Sequence, residues 1–176
     1  GTGKTAAFGF PMIQKIQHDS RTTQGLILSP TRELCLQITN ELKLYSKYVK
    51  GINVVAIYGG ASITEQARQV KRGAQIIVAT PGRMKDMINR NLVDITKIQY
   101  AVLDEADEMT NDAQTALRRI MEETSRTSRF ILIGNYISNI IQPIQSRCSI
   151  FHFIKLEQNY ITTHLEKISS KEKIKY

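Results

Sequence analysis

Two short stretches decide the fold of this chain: Gly1-Thr2-Gly3-Lys4-Thr5 and Tyr100-Ala-Val-Leu-Asp-Glu-Ala-Asp107. The first is the second half of a phosphate-binding loop, G-x-x-x-x-G-K-[ST], in which glycine amides turn toward phosphate oxygens. The second is an apolar run that ends in carboxylates, which is typical of a buried strand with a magnesium-binding Asp at its carboxyl end. Together they predict an α/β fold that binds a nucleoside triphosphate.

The two stretches supply complementary groups for such a ligand. In a loop of this type the Lys4 ammonium meets the β and γ phosphates, and the Thr5 hydroxyl ligates magnesium. Asp104 would hold the same ion and Glu105 would orient the attacking water. The alternatives, a flexible glycine turn and a solvated acidic turn, are disfavoured because both stretches occur in one chain. The residues expected to contact the nucleotide are Gly1, Thr2, Gly3, Lys4 and Thr5.

The composition bounds the class of protein. The chain has 176 residues and a formal charge of +8, and its 41% hydrophobic content excludes a disordered or collagen-like chain. No apolar run approaches the roughly 20 residues that cross a bilayer, so we expect neither a membrane protein nor a secreted one. Cys35 and Cys148 form no CxxC pair, which argues against disulfides or zinc and favours a cytoplasmic protein. The basic excess favours phosphate polyanions, although many basic proteins bind no nucleic acid.

Short runs of β-branched residues alternate with segments in which apolar residues recur every three or four positions, as in a helix. This alternation predicts βα units and a mainly parallel sheet. Residues 34–42 repeat apolar side chains at a spacing of four, and residues 112–123 form a second amphipathic pattern. Asn111 or Asp112 is expected to cap the helix at 112–123. The predicted strands are residues 25–29, 53–58, 75–79, 100–103, 129–133 and 149–153.

Five motifs follow one another in a family order. They are GTGKTAAF at the start, Pro30-Thr-Arg-Glu-Leu34, Gly59-Gly60, Ala79-Thr-Pro-Gly-Arg83 and Asp104-Glu-Ala-Asp107. On these motifs, residues 1–109 resemble the first RecA-like domain of DEAD-box RNA helicases. The resemblance implies ATP-dependent remodelling of RNA duplexes, with ATP and Mg²⁺ as cofactors, Asp104 and Glu105 as catalytic residues, and Thr5 and Asp104 as metal ligands.

The same resemblance implies an RNA track. Glycine amides, threonine hydroxyls and arginines are typical contacts to the sugar-phosphate backbone, which position a strand without reading its bases. Singly, Gly59-Gly60 is equally a turn, and Arg32 and Arg83 are equally solvated helix starts. The order of the motifs favours the functional interpretation. The residues implied are Pro30, Thr31, Arg32, Gly60, Thr80, Gly82 and Arg83.

After Met109 the resemblance changes. The Ser-Ala-Thr motif expected of a helicase of this family does not occur in the sequence. Three segments, within residues 110–119, 129–136 and 141–148, resemble instead the small subunit of the replication factor C clamp loader. We interpret the chain as a chimera joined within residues 103–109, in which residues 110–154 complete a P-loop fold and residues 155–176 begin a helical lid.

The clamp-loader resemblance implies further roles. Asn135 would be a sensor residue that helps to place the water near the γ phosphate, and Arg147 an arginine finger acting on ATP in a neighbouring subunit. The implied partners are clamp-loader subunits, a sliding clamp and DNA. From the residues alone, Asn135 is equally the cap of a strand end, and Arg147 has a role only if the chain assembles.

Both families share a topology that places residues 129–133 between the strands of the two phosphate-site motifs, and residues 149–153 beyond the first of these strands. That first strand would precede Gly1, so we expect a sheet that lacks it and exposes unpaired backbone at the gap. Three functions stay open: a helicase-core fragment with weak or no turnover, a clamp-loader ATPase for DNA replication, and an inactive fusion product. No duplex unwinding is expected of the isolated chain.

Overall fold

The computed structural model describes residues 3–124 and 127–173, which contain a five-stranded sheet. The strands are β1 (Gly25–Leu28), β2 (Val54–Ile57), β3 (Ile76–Ala79), β4 (Tyr100–Leu103) and β5 (Arg129–Leu132). Their order is β2-β3-β1-β4-β5, and every neighbouring pair is parallel. The predicted α/β class with a parallel sheet is confirmed.

Helices lie between the strands and after them. They are α1 (Lys4–Lys15), α2 (Arg32–Tyr45), α3 (Ile63–Lys71), α4 (Pro81–Asn89), α5 (Asn111–Thr124), α6 (Gln142–Gln145) and α7 (Gln158–Glu172). Single 3₁₀ turns follow β4 and β5, at Ala106–Glu108 and Ile137–Asn139. Among the described residues, no helix is long and apolar enough to span a membrane.

The sheet separates two apolar layers because successive side chains of a strand point to opposite faces. Ile27 of β1 faces a layer built with α1 and α2, which includes Met12 and Ile38. Leu26 and Leu28 of the same strand face the other layer, to which α4 and α5 contribute. The sheet is thus covered on both faces where β1, β3 and β4 lie, which explains their continuous apolar sequences.

Five of the six predicted strands are confirmed, with shifts of one residue at some ends. The sixth prediction, a strand at 149–153, is wrong: these residues form no strand and are exposed. A strand needs a hydrogen-bonding neighbour, and the strand expected beside this segment is not among the described elements. Residues 129–133 were expected beside the strand that ends in the carboxylates, and β5 does pair with β4.

The cap of α5 also differs from the prediction. Asn111 is already the first helical residue, and the Thr110 hydroxyl accepts a hydrogen bond from the Ala113 amide at 3.3 Å. Thr110 therefore caps the first turn of α5, a role that Asn111 or Asp112 was expected to have. The Thr110 hydroxyl, one residue before Asn111, reaches the amide of Ala113, the third residue of the helix.

Candidate nucleotide and nucleic-acid site

The start of α1 and the carboxyl end of β4 meet at one edge of the sheet. Lys4 Nζ lies 3.9 Å from Asp104 Oδ1. Asp104 is 3% exposed, and within residues 3–124 and 127–173 its Oδ1 accepts no hydrogen bond. Burial raises the pKa of the Asp104 carboxyl, and the nearby charge of Lys4 opposes that rise. A buried carboxylate oxygen without a donor is a ready ligand for a hard cation such as Mg²⁺.

Glu41 of α2 belongs to the same cluster, although the sequence patterns did not single it out. Gln37 Nε2 donates to Glu41 Oε1 at 3.1 Å. Hydrogen bonds from the Gln37 amide and the Thr5 hydroxyl lower the pKa of Glu41. The charge of Glu41 in turn contributes to the raised pKa of Asp104. Thr5 is thereby placed close to the Glu41 carboxylate, and its predicted role as a metal ligand stays a prediction.

The predicted phosphate loop is only partly described. Gly1 and Thr2 lie outside the described residues. Gly3 has a left-handed backbone, with φ of 75°, and its carbonyl accepts from the Ala7 amide at 3.0 Å at the start of α1. Glycine adopts this conformation without the steric cost that a side chain brings. Its left-handed turn leads directly into the helix whose N-terminus would face an anion.

Glu105 follows Asp104 in a strained turn. Its φ of 51° and ψ of 47° place a residue with a side chain in the left-handed region. The next amide, of Ala106, donates to the Ile133 carbonyl at 2.8 Å, which fixes the turn against the end of β5. Such strain persists only where the surroundings determine the conformation, and functional sites are where it concentrates. The water-orienting role of Glu105 stays a prediction.

Asp107 joins the ends of β4 and β5. It is 5% exposed, and its Oδ2 accepts from the Asn135 amide at 3.1 Å and the Tyr136 amide at 3.0 Å. The backbone of Asn135 is therefore held at the carboxyl edge of the sheet, next to the turn that carries Glu105. The exposed side chain of Asn135 has a predicted sensor role that the geometry leaves untested.

The predicted RNA-track residues gather at the same edge, at the ends of three neighbouring strands. The Thr31 hydroxyl accepts from the Leu34 amide at 3.2 Å and caps α2. Thr80 precedes α4, and its side chain makes no capping hydrogen bond. Pro30 and Thr80 are half-buried, while Gly82 is exposed, and a methyl group at Gly82 would meet no atom within 4 Å.

The two predicted arginines both contact the segment that follows β2. The Arg32 guanidinium lies over the Tyr58 ring, with 4.8 Å from its carbon to the ring centroid. Gly60 has a φ of +81°, and a Cβ placed there would lie 3.7 Å from Arg32 Nη1. Arg83 Nη1 donates to the Ala61 carbonyl at 3.0 Å. Both cations are thus anchored to one turn.

Gln66 of α3, which sequence reasoning missed, completes this arrangement. Its Oε1 accepts from Arg83 Nη1 at 3.0 Å, and its Nε2 donates to the Tyr58 carbonyl at 3.1 Å. A signal was available in the sequence, because Gln66 interrupts the apolar face that Ile63 and Val70 form on α3. A polar side chain on a buried face usually has hydrogen-bond partners.

The proposed arginine finger is engaged within the chain. Arg147 Nη2 lies 3.0 Å from Glu122 Oε1, and Arg147 Nη1 donates to the Pro143 carbonyl at 2.7 Å. Both partners are on the chain itself, so this geometry offers no support for a role in a neighbouring subunit.

Taken together, the half phosphate loop, the acidic strand end and the parallel sheet define an α/β domain with the P-loop fold. The family model for DEAD/DEAH box helicases matches residues 1–135, and the chain belongs to this family. The ATP-dependent RNA helicase CshA of Listeria monocytogenes is 48% identical over 128 residues, which cover 70% of this chain and 24% of that protein. The ATP-dependent RNA helicase DeaD of Mycobacterium tuberculosis is 41% identical over 148 residues, covering 84% and 26%.

Solved structures support the same assignment. A DEAD box protein from the hyperthermophile Methanococcus jannaschii superposes with a TM-score of 0.73 and 34% identity, covering 84% of this chain and 39% of that chain. The yeast DEAD-box splicing factor Prp28 superposes with a TM-score of 0.68 and 27% identity, covering 84% and 36%. The chain spans about a quarter of the length of these curated relatives.

The family match continues past the predicted junction. It runs through residue 135, so residues 110–135 also match the helicase family. A chimera joined within residues 103–109 and a clamp-loader segment gain no support from these comparisons. The helicase half of the prediction is confirmed at the level of the family.

Proposed function

We propose that the chain is the ATP-binding and RNA-binding domain of an ATP-dependent RNA helicase. The observation that carries the proposal is the pairing of the Lys4 ammonium with a buried Asp104 oxygen that accepts no hydrogen bond among the described residues. The family membership agrees with it, and so do the relatives CshA and DeaD, which are ATP-dependent RNA helicases.

The residues at the start of α1 and the end of β4 fit ATP with Mg²⁺. Lys4 would neutralise the β and γ phosphates, and the free Asp104 oxygen would hold Mg²⁺, directly or through water. The bound ion would neutralise charge on the phosphates during transfer. The Thr5 hydroxyl, which is hydrogen-bonded to Glu41 in this structure, would bind the ion instead, and Glu105 would orient the attacking water.

RNA would bind along the ends of β1, β2 and β3. Arg32 and Arg83 bring two cations to that edge, and Thr80 brings a hydroxyl that caps no helix. These groups suit backbone phosphates and sugars, so we infer binding that is salt-sensitive and independent of base sequence. The wider family function, remodelling of RNA duplexes, belongs to whole proteins of which the matched segment makes up about a quarter.

For the chain alone we propose weak or absent ATP turnover and no duplex unwinding, because the family resemblance implies a second RecA-like domain that closes over both ligands. The clamp-loader function is not proposed, since Arg147 pairs with Glu122 of its own chain. Domain boundaries at residues 109 and 154 and a cytoplasmic location stay predictions.

Titration of the full chain with ATP in the presence of Mg²⁺, followed by calorimetry, tests the nucleotide site. We expect Lys4→Ala to weaken ATP binding by about tenfold or more, as loss of a charged hydrogen bond does. Lys15→Ala is the matched control, because Lys15 is an exposed lysine at the opposite end of α1. Equal affinities of the two variants would show that the site is wrongly placed.

A further inference from the structure

Gln66 occupies an unusual position for an amide side chain. It is 5% exposed, on the face of α3 that packs into the core through Ile63 and Ala67. A buried amide is costly unless both of its ends find partners. The oxygen end of Gln66 meets Arg83, and the nitrogen end meets the Tyr58 carbonyl. Its two hydrogen bonds therefore join α4 to the end of β2.

These bonds leave much of the Arg83 guanidinium available. Within residues 3–124 and 127–173, both hydrogen bonds of Arg83 come from Nη1, to Gln66 and to Ala61. A guanidinium carries five N–H donors in a planar fork. With one nitrogen fixed by two acceptors, the remaining edge of the fork is presented in a defined direction, as a phosphate requires.

The second bond of Gln66 reaches Arg32 indirectly. The Tyr58 carbonyl accepts from Gln66, and the ring of the same residue lies under the Arg32 guanidinium. Holding the Tyr58 backbone thus also holds the surface on which Arg32 rests. One buried side chain is connected to both arginines of the candidate RNA track.

We propose that Gln66 is a positioning residue for RNA binding, which orients Arg83 directly and Arg32 through Tyr58. This inference rests on the proposed function. A long side chain such as arginine loses rotamer entropy when it binds a ligand, and an arginine that is already ordered loses less. Gln66 would therefore strengthen RNA binding without touching the RNA.

Fluorescence anisotropy of the full chain with a labelled single-stranded RNA of mixed sequence, over a series of salt concentrations, tests the proposal. Gln66→Met keeps the length of the side chain and removes both hydrogen bonds. We expect its Kd to rise by about fivefold, as loss of roughly 1 kcal/mol implies. Gln114→Met is the matched control: Gln114 is also buried and bonds the Met109 and Asn139 carbonyls, far from the track in sequence. It should leave the Kd unchanged.

A double-mutant cycle separates positioning from a general structural role. If Gln66 acts through the two arginines, then Gln66→Met should raise the Kd by less than about twofold when Arg83 and Arg32 are both already alanine. An equal effect in both backgrounds would overturn the proposal. Gln66→Glu gives a second readout, because a carboxylate paired with Arg83 should lower the slope of log Kd against log salt by about one. An unchanged slope and Kd for this variant would also overturn it.

The outcomes distinguish the positioning role of Gln66 from the proposed RNA track on which it rests. If the unmodified chain does not bind RNA, or if Arg83→Ala leaves the Kd unchanged, the proposed RNA track is wrong, and the positioning role of Gln66 is wrong as well. If Arg83→Ala weakens binding and Gln66→Met does not, only the positioning role is wrong.

Discussion

Val102 lies between two isoleucines in the sheet, and their surroundings differ sharply. It pairs with Ile27 of β1 on one side and with Ile131 of β5 on the other. Ile27 is 0% exposed, whereas Ile131 is 48% exposed. β1 has another strand beyond it and helices over Ile27, while β5 pairs only with β4 among the described strands. Two isoleucines that pair with the same valine are thus buried in one case and half-exposed in the other. The burial of a strand is therefore decided by what covers it and not by its own residue types.

Truncating each of the two isoleucines tests this comparison with the largest expected change in the free energy of unfolding. Ile27→Ala should lower the free energy of unfolding by about 2–5 kcal/mol, because it opens a cavity in a closed layer. Ile131→Ala removes the same atoms from a half-exposed site and should cost less than about 1 kcal/mol. Urea unfolding followed by circular dichroism measures both. Equal costs would mean that β5 is covered as completely as β1.

Two ion pairs, Lys4–Asp104 and Arg147–Glu122, also differ in burial, and here we expect a smaller change in the free energy of unfolding. Lys4 meets a buried Asp104, whereas Arg147 and Glu122 keep 46% and 43% of their side chains exposed. Exposed pairs are screened by water and contribute little. Glu122→Gln should change the free energy of unfolding by less than about 1 kcal/mol, and added salt should shrink the change further. A cost of several kcal/mol in the same urea experiment would show that this part of the chain depends on the pair.

The fold was largely predictable because its strands are apolar runs between helical patterns. β4 was predicted with both ends correct, since Tyr100–Leu103 is bounded by the carboxylate run. Residues 149–153 failed for a reason that no local pattern contains: their composition suits a strand, and a strand exists only beside a partner. The helix cap at Thr110 was missed because Asn111 and Asp112 are also good caps by type.

The site residues that belong to a sequence motif could be predicted, whereas those that join the site only through tertiary contacts could not. Asp104 and Lys4 belong to the two motifs that were expected to form one site, and the structure places Lys4 Nζ 3.9 Å from Asp104 Oδ1. Glu41 and Gln66 belong to no motif, and only the packing of α2 and α3 against the strand ends brings them to Thr5 and Arg83. Residues that position others are recognisable in a sequence mainly as polar interruptions of an apolar face.

Replacement of Asp104 by asparagine tests the nucleotide site most directly. Because the folded-state pKa of Asp104 is raised, its ionised form opposes folding at neutral pH, and this penalty disappears as the pH falls through that pKa. Asp104→Asn should therefore melt at a higher temperature than the unmodified chain at pH 7, and the difference should vanish at acidic pH.

The same variant should bind ATP with Mg²⁺ about tenfold or more weakly, because the charged ligand for the ion is gone. Differential scanning calorimetry with and without Mg²⁺ and ATP reads stability and binding from one sample. Higher stability of the free variant, together with loss of the ligand-induced shift, is the result we predict. An undiminished shift with ATP and Mg²⁺ would contradict the assignment of Asp104 to the site.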